Sequence, residues 1–279
     1  MLKSYAFDVD YNLVYTDDTI WIDVLENGKW IPKEISQKQY EEVASQLKTW
    51  ETMRYLNNDM EQSMKNFRGA GKYEKTLFDA LSKENNTGKW PSRNKFIEAN
   101  TYASPIAIIT ARWHPVEDLR ETHRKIILDE LSSGQQEDLL TSMQERLWDH
   151  KQSDEFYINT YLNNNFYAPC SDEQFLATIE KNLSDRMPDR KNAAFEAFVI
   201  HAKKVFEHYY WANFMATRKM RIGFSDDTSS NIEWLHHYIR TDKTGLMRKY
   251  PEVLFRMYDT GGDMRVKPTK FSYTNTEEK

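Results

Sequence analysis

The chain has 279 residues but a single cysteine, Cys170. One cysteine excludes an intramolecular disulfide and a zinc site built from several thiolates. No run of about 18 apolar residues is present, so we expect no membrane-spanning helix. The first residues also lack the basic start and apolar run that are typical of a signal peptide. We therefore expect a soluble protein in a reducing compartment, with the cytoplasm as its location.

An excess of basic charge is missing too. Acidic residues outnumber basic residues by 43 to 38, which gives a net charge of −5. The chain as a whole therefore has no electrostatic footprint for nucleic acid, although a local basic groove is compatible with this balance. The sequence contains neither a Gly-x-x-x-x-Gly-Lys loop nor a His-Glu-x-x-His spacing, so it predicts neither a P-loop nor that type of zinc site.

The hydrophobic pattern alternates short apolar runs with longer amphipathic stretches, as expected for strands and helices. This alternation predicts an α/β fold, with a three-layer α/β/α Rossmann-like core around a mostly parallel sheet. Strands are predicted over 2–7, 105–109, 156–161, 165–168, 220–224 and 253–258. Helices are predicted over 36–56, 73–82, 115–131, 192–210 and 230–239.

The predicted elements also suggest how the chain is divided. Asn27-Gly28 lies between two runs rich in aromatic and β-branched residues, which predicts a β-hairpin over about 19–32. Pro32 places the second strand of this hairpin at an edge or makes it short. The stretch 36–100 is mostly helical by pattern and predicts an insert, which divides the core into 1–35 and 101–262. The polar residues of 263–279 predict a flexible tail.

Polar side chains end three of the predicted strands. Asp8 and Asp10 follow the first strand, Thr110 follows another, and Asp226-Asp227 follow a third. In parallel sheets, ligands bind beyond the carboxyl ends of the strands. We therefore expect these side chains to lie near one another.

Two carboxylates on the same side of an extended segment, as in Asp8-Val9-Asp10, repel each other unless a cation lies between them. Mg²⁺ suits such a pair because it prefers carboxylate, water and phosphate oxygens. Each feature also has a simpler interpretation. The first pair could be a solvated turn, Asp226 and Asp227 could cap the following helix, and Lys191 could be an ordinary surface lysine.

These segments resemble the motifs of the haloacid dehalogenase superfamily. Motif I resembles Phe7-Asp8-Val9-Asp10-Tyr11-Asn12-Leu13, and motif II resembles Ile108-Ile109-Thr110-Ala111-Arg112. The run from Gly223 to Asn231 is similar to motif IV in its Asp-Asp-x-x-x-Asn form, and Lys191 stands in a suitable place for motif III. The hairpin falls where this family has its flap. The insert over 36–100 is the preferred candidate for its helical cap, and the stretch between Pro115 and Lys191 is the alternative.

The resemblance implies a magnesium-dependent phosphatase that acts in two steps. Asp8 would attack phosphorus to form an aspartyl-phosphate, and Asp10 would act as general acid and then as general base. Thr110 and Lys191 would hold the phosphoryl oxygens.

Mg²⁺ would be bound by Asp8, the backbone carbonyl of Asp10 and Asp226, with Asp227 positioning the ion or the lysine. The sequence departs from the family pattern at Tyr11 and Asn12, although neither change removes a reacting group.

The implied substrate is a small phosphorylated metabolite or nucleotide. A nucleic-acid 3′-end phosphatase, a phosphotransferase with another acceptor, and a binding or structural protein with little turnover remain as alternatives. A nucleic-acid substrate would need a basic groove, for which the sequence offers Lys65, Arg68, Lys72, Lys75, Arg93 and Lys95.

Overall fold

The structure is a computed structural model and describes residues 1–10, 12–13, 19–36, 39–40, 43, 47, 51–63, 91–112, 114–210, 219–241, 245–261 and 269–273. Strands and helices alternate along these residues, as the sequence predicts for an α/β fold. The strands are β1 (Leu2–Phe7), β2 (Thr19–Glu26), β3 (Lys29–Ser36), β4 (Met53–Tyr55), β5 (Ile106–Thr110), β6 (Phe166–Pro169), β7 (Met220–Asp226), β8 (Val253–Asp259) and β9 (Thr269–Tyr273). The helices are α1 (Met60–Ser63), α2 (Arg93–Thr101), α3 (Val116–Glu130), α4 (Ser133–Leu147), α5 (Asp154–Asn163), α6 (Glu173–Thr178), α7 (Met187–Tyr209), α8 (Ser229–Arg240) and α9 (Leu246–Lys249), and a 3-10 turn spans Leu56–Asn58.

The larger sheet has the strand order β6-β5-β1-β7-β8-β9. Its first five strands are parallel, and β9 is antiparallel at one edge. From β1 the chain passes to β5 and β6 on one side, and then crosses back to β7 and β8 on the other. This reversal creates a switch point beside β1, where open α/β sheets bind ligands outside the carboxyl ends of their strands. The arrangement is compatible with a Rossmann-like core.

Helices cover both faces of this sheet, because alternate side chains of each strand point to opposite faces. Leu2 and Ala6 of β1 belong to a hydrophobic cluster with residues of α6, α7, α8 and α9. Tyr5 and Phe7 belong to a second cluster, with residues of α2, α3, α4 and α5. All five residues of β5 are buried, as expected for a strand with both faces covered. The sheet and its helices thus form three layers.

The predicted hairpin is present as β2 and β3, which pair in antiparallel fashion. Asn27 and Gly28 at its turn have φ angles of 49° and 74°. Positive φ at both central residues is typical of the type I′ turn, whose twist matches that of the two strands. Because β4 pairs with the other side of β2, β3 is an edge strand, as Pro32 predicts.

The helix predicted over 36–56 is wrong at its C-terminal end. Residues Met53–Tyr55 form β4, because they pair with Ile22–Val24 of the hairpin and so extend its sheet. The helix predicted over 73–82 lies outside the described residues.

The strand predicted over 156–161 is also wrong, because these residues belong to α5. The Ser153 side chain accepts a hydrogen bond from the backbone N–H of Phe156 and so caps the helix. Tyr157, Ile158 and Tyr161 are buried on one face of the helix. Aromatic and β-branched composition favours a strand, but packing against α3 and α4 at helical spacing decides the structure.

Three further differences concern the second half of the chain. Helix α4 occupies a stretch without a predicted element, and a reciprocal capping box between Ser132 and Gln135 begins it. Helix α7 starts five residues before its predicted beginning, with proline in its first turn. Strand β9 lies within the predicted tail. In the described ranges, no helix combines the length and the apolar character that crossing a bilayer requires.

Candidate active site

Asp8 and Asp226 meet at the carboxyl ends of the two neighbouring strands β1 and β7. Phe7 pairs with Ser225 in the sheet register, and the backbone N–H of Asp8 donates to the Ser225 carbonyl at 2.9 Å. Both carboxylates are buried. Two acids that are 218 positions apart in the sequence (226 − 8) are therefore brought to the same edge of the sheet.

Lys191 lies between these two acids. It belongs to the second turn of α7, and its Nζ atom lies 2.8 Å from Asp8 Oδ1 and 2.7 Å from Asp226 Oδ2. Burial opposes the charge on Lys191, but the attraction of Asp226 and Asp8 outweighs it and holds the pKa of the lysine well above its ordinary value. Lys191 is therefore a buried ammonium group within the site rather than a surface lysine.

Several hydrogen bonds fix the orientation of Asp226. Its Oδ1 atom accepts from the Thr228 backbone N–H at 2.9 Å, and the Asn231 amide donates to Oδ1 at 3.1 Å and to Oδ2 at 3.2 Å. Asp226 thus does not cap α8, whose N-cap residue is Thr228 and whose first turn has no side-chain cap, but it accepts from the N–H of that N-cap residue. The same carboxylate also binds Lys191, so it serves the site as well.

Asn12 ties the loop after β1 to the neighbouring strand. Its side-chain amide donates to the Asp8 carbonyl at 2.9 Å and to the Ser225 carbonyl at 3.1 Å. Its carbonyl oxygen accepts from the Thr260 hydroxyl at 3.0 Å. The departure from the family pattern at this position thus has a structural role, while Tyr11 lies outside the described residues.

Asp10 has a partner that sequence reasoning missed, the buried guanidinium of Arg112. Arg112 Nη2 donates to Asp10 Oδ1 at 2.6 Å, and its Nε atom lies 3.2 Å from both carboxylate oxygens. The sequence feature that could have pointed to Arg112 is its place two residues after the end of β5, beside the predicted site. Charge-assisted pairs of this kind are among the stronger hydrogen bonds in proteins.

Thr110 is fully buried at the end of β5, on the other side of β1 from Asp226. Its Oγ1 atom accepts a hydrogen bond from the Arg112 backbone N–H at 3.2 Å. The hydroxyl hydrogen has no acceptor among the residues that the structure describes, so it is available to an anionic ligand. The remaining residue of this region, Cys170, is buried, and burial raises the pKa of its thiol to about 12, which makes it a poor nucleophile.

We call the charged and polar residues at this edge the strand-end cluster. It contains Asp8, Asp10, Thr110, Arg112, Lys191, Asp226, Asp227 and Asn231.

The strand-end cluster is acidic. Its four carboxylates face two cations, Lys191 and Arg112. Burial raises the pKa of Asp8, and the neighbouring acids reinforce this effect while Lys191 opposes it. Burial and the neighbouring acids thus favour the protonated form of Asp8, whereas any cation beside it favours the ionised form.

The donor set at this edge fits a hard divalent cation. Oxygen atoms of Asp8, Asp226 and Asp227 all lie within 4.8 Å of one another. Oxygen ligands on neighbouring positions of an octahedral Mg²⁺ are about 3 Å apart, so small shifts of the side chains would suffice. The carboxylate of Asp10 is not in this group and pairs with Arg112 instead.

The basic residues expected to line a nucleic-acid groove do not form one where the structure describes them. Of the six, only Arg93 and Lys95 lie among the described residues. Arg93 forms an ion pair with Glu130, and Lys95 contacts Glu98 at 2.6 Å. Both charges are thus compensated within the protein.

Comparison of the chain with family models, with curated proteins and with solved structures gives no match. The chemical interpretation of the strand-end cluster therefore depends on its own geometry and on the motif resemblance.

Proposed function

We propose that this chain is a Mg²⁺-dependent phosphomonoesterase of the haloacid dehalogenase type, with Asp8 as nucleophile. The observation that carries the proposal is the position of Lys191, whose ammonium group contacts both Asp8 and Asp226 while Asp227 lies within reach of both. A purely structural ion pair needs one acid for one base. Here one lysine pairs with two acids and a third acid lies beside them, so negative charge remains that a divalent ion could neutralise.

In the first step, an Asp8 carboxylate oxygen forms a bond to phosphorus as the bond between phosphorus and the ester oxygen breaks. A protonated Asp10 gives its proton to that leaving oxygen. In the second step, water attacks the phosphorus of the aspartyl-phosphate and gives a proton to Asp10. The phosphorus–Asp8 bond then breaks, which restores both carboxyl groups and releases inorganic phosphate.

Two cationic or hydroxyl donors can hold the phosphoryl oxygens during these steps. Lys191 already lies at hydrogen-bonding distance from the nucleophile, so its charge would offset that of a phosphoryl group on Asp8. Thr110 offers its free hydroxyl hydrogen from the adjacent strand. Arg112 occupies the carboxylate of Asp10, so substrate binding must displace at least one of its hydrogen bonds before Asp10 reaches the leaving oxygen.

Asp8, Asp226 and Asp227 would hold the Mg²⁺ ion, together with the Asp10 carbonyl that the resemblance implies. When bound, the ion would neutralise carboxylate charge and stabilise charge on the phosphoryl oxygens. The buried position of Asp8 and Asp226 keeps bulk water from screening that interaction, while Asp227 is half-buried.

The substrate we propose is a small phosphorylated metabolite or nucleotide. Transfer to an acceptor other than water would use the same residues, and analysis of the products separates the two reactions. A 3′-phosphorylated oligonucleotide tested beside nucleotides and sugar phosphates separates a nucleic-acid end phosphatase from a metabolite phosphatase.

A second candidate is a protein of the same fold that binds phosphorylated ligands without useful turnover. The contact that favours it is the Asp10–Arg112 pair, because three hydrogen bonds hold the proposed acid away from other partners. Phosphate release from phenyl phosphate decides between the two candidates. We expect release that requires Mg²⁺ and is lost in Asp8→Asn but kept in Asp138→Asn, an exposed acid on α4. Wild-type protein that binds phosphate with Mg²⁺ yet releases none would support the binding protein.

A further inference from the structure

His114 lies in the loop that joins β5 to α3, two residues after Arg112. Its side chain is 2% exposed, and neither ring nitrogen has a hydrogen-bond partner among the described residues. Buried polar atoms are paired in the great majority of cases, so two unpaired nitrogens on one ring require an explanation. An apolar side chain of similar size would fill the same space without this cost.

The other fully buried histidine shows what a structural role looks like in this protein. The two ring nitrogens of His123 lie 3.0 Å from the Tyr167 hydroxyl and 2.6 Å from Asn100 Oδ1. His123 is thus satisfied by its own fold. His114 is not, although it is at the edge of the sheet where ligands bind.

The position of His114 within the site points to one part of the substrate. The strand-end cluster has two sides, because β7 and β5 flank β1 on opposite sides. On the β7 side, Asp226, a proposed ligand of the metal, binds Lys191, the proposed partner of the phosphoryl group. On the β5 side, Arg112 binds Asp10, the proposed acid, and the charges of both act on the ring of His114. The β5 side is therefore where the leaving group must lie.

Burial, together with the positive charge of Arg112, lowers the pKa of His114 to about 4. Its ring is then neutral near pH 7, with one nitrogen as donor and the other as acceptor. A neutral ring can bind a hydroxyl or a nucleobase edge. It supplies no positive charge for a second phosphate group.

We propose that His114 is a specificity residue that hydrogen-bonds an uncharged polar group on the leaving-group side of the phosphomonoester. This inference rests on the proposed function and narrows its substrate class to monophosphates of hydroxyl-rich or nucleoside alcohols.

The test compares kcat/KM for phenyl phosphate, whose leaving group has no polar atom besides the ester oxygen, with kcat/KM for a panel of nucleoside 3′- and 5′-monophosphates and hexose phosphates. We expect His114→Phe to lower the ratio of the best panel substrate to phenyl phosphate by about 10- to 100-fold, because one substrate hydrogen bond is lost. His114→Gln, which keeps a donor and an acceptor, should restore part of the ratio. The control variant His208→Phe, at an exposed position of α7, should leave the ratio unchanged.

An unchanged ratio in folded His114→Phe would overturn the proposal, whether both activities fall together or neither falls. If wild-type protein hydrolyses no substrate, the proposed function fails separately, and ¹⁵N-histidine NMR then tests His114 by binding. Shifts of its ring nitrogens on addition of the same panel, without shifts on addition of inorganic phosphate, would keep the assignment of His114. The absence of any such shift would refute it.

Discussion

Two groups of polar residues in the interior of this protein differ in their charge. The strand-end cluster is charged, with more acids than bases. His114, whose ring nitrogens lack partners among the described residues, follows its Arg112 by two positions. The second group, which we call the neutral network, consists of Asn100, His123, Tyr161 and Tyr167.

In the neutral network, every side chain is satisfied from within the fold. Burial lowers the pKa of His123 to about 3, so the ring stays uncharged at neutral pH. The Tyr161 hydroxyl lies 3.2 Å from Asn100 Oδ1 and 3.1 Å from the Ser104 carbonyl, so its single hydrogen has an acceptor within the fold. A satisfied neutral network stabilises helix packing, whereas an unbalanced charged cluster costs stability, and our proposal gives it a role in binding and catalysis. The predictions below test this contrast.

The largest expected effect is on catalysis. Asp8→Asn removes the nucleophile, and we expect the rate of Mg²⁺-dependent hydrolysis to fall by at least about 1,000-fold. The fold should persist, because Lys191 keeps Asp226 as its partner. Circular dichroism checks the fold and phosphate release checks the activity. An Asp8→Asn enzyme with near wild-type rate would show that the strand-end cluster is not catalytic.

The next effect concerns the metal. We expect Asp226→Asn to raise the Mg²⁺ concentration needed for half-maximal activity by at least about 100-fold. Residues that merely orient a metal ligand already contribute about 10- to 100-fold to metal affinity. Asp259→Asn is a matched control, because Asp259 pairs with Asp226 in the sheet register at the end of β8 but is not among the three clustered acids. Magnesium titrations of activity measure both variants. Equal effects of the two substitutions would contradict the assigned site.

The neutral network should respond in the opposite way. His123→Leu leaves Asn100 and Tyr167 each without one hydrogen bond, and we expect the free energy of unfolding to fall by about 2 kcal/mol. The activity per folded molecule should stay within about twofold, because the network's hydrogen bonds join its members to one another and to Phe96, Leu162 and Ser104. Urea unfolding and kcat/KM measure the two quantities, with His237→Leu as an exposed control. Loss of activity without loss of stability would break the contrast.

The smallest effect is a pH dependence of stability. Burial raises the pKa of Asp8 above its ordinary value of 3.8, so the folded protein binds this proton more tightly than the unfolded chain does. Its contribution to stability is therefore complete below pH 3.8 and is lost as the pH rises through the folded pKa. Without Mg²⁺, we expect Asp8→Asn to remove this decline. Urea unfolding of both proteins across that pH range measures it, and identical pH profiles would argue against the charge imbalance.

The sequence predicts the centre of the fold well, for a physical reason. Strand β5 is buried along its whole length, so its apolar residues are consecutive and stand out from the helical pattern. Strands β1 and β7 have shorter apolar runs, Tyr5-Ala6-Phe7 and Ile222-Gly223-Phe224. The polar residues that close these runs lead to Asp8, Thr110 and Asp226 without coordinates.

Contacts between distant side chains are less accessible to such reasoning. Nothing in the sequence indicates that Arg112 is buried or that it pairs with Asp10, which lies 102 positions away. The same holds for Asn12, whose partners Ser225 and Thr260 come from the far end of the chain. The error at α5 has another origin, because a cap at Ser153 and tertiary packing override the strand preference of its aromatic residues.

A crystal structure with Mg²⁺ and beryllofluoride tests the central claim most directly, because beryllofluoride mimics a phosphoryl group on an aspartate. The account predicts beryllium bonded to an Asp8 carboxylate oxygen, Lys191 in contact with its fluorine atoms, and Mg²⁺ coordinated by Asp8 and Asp226. Beryllofluoride that is bound elsewhere or not at all, with Lys191 still joining the two acids and no metal beside them, would contradict it.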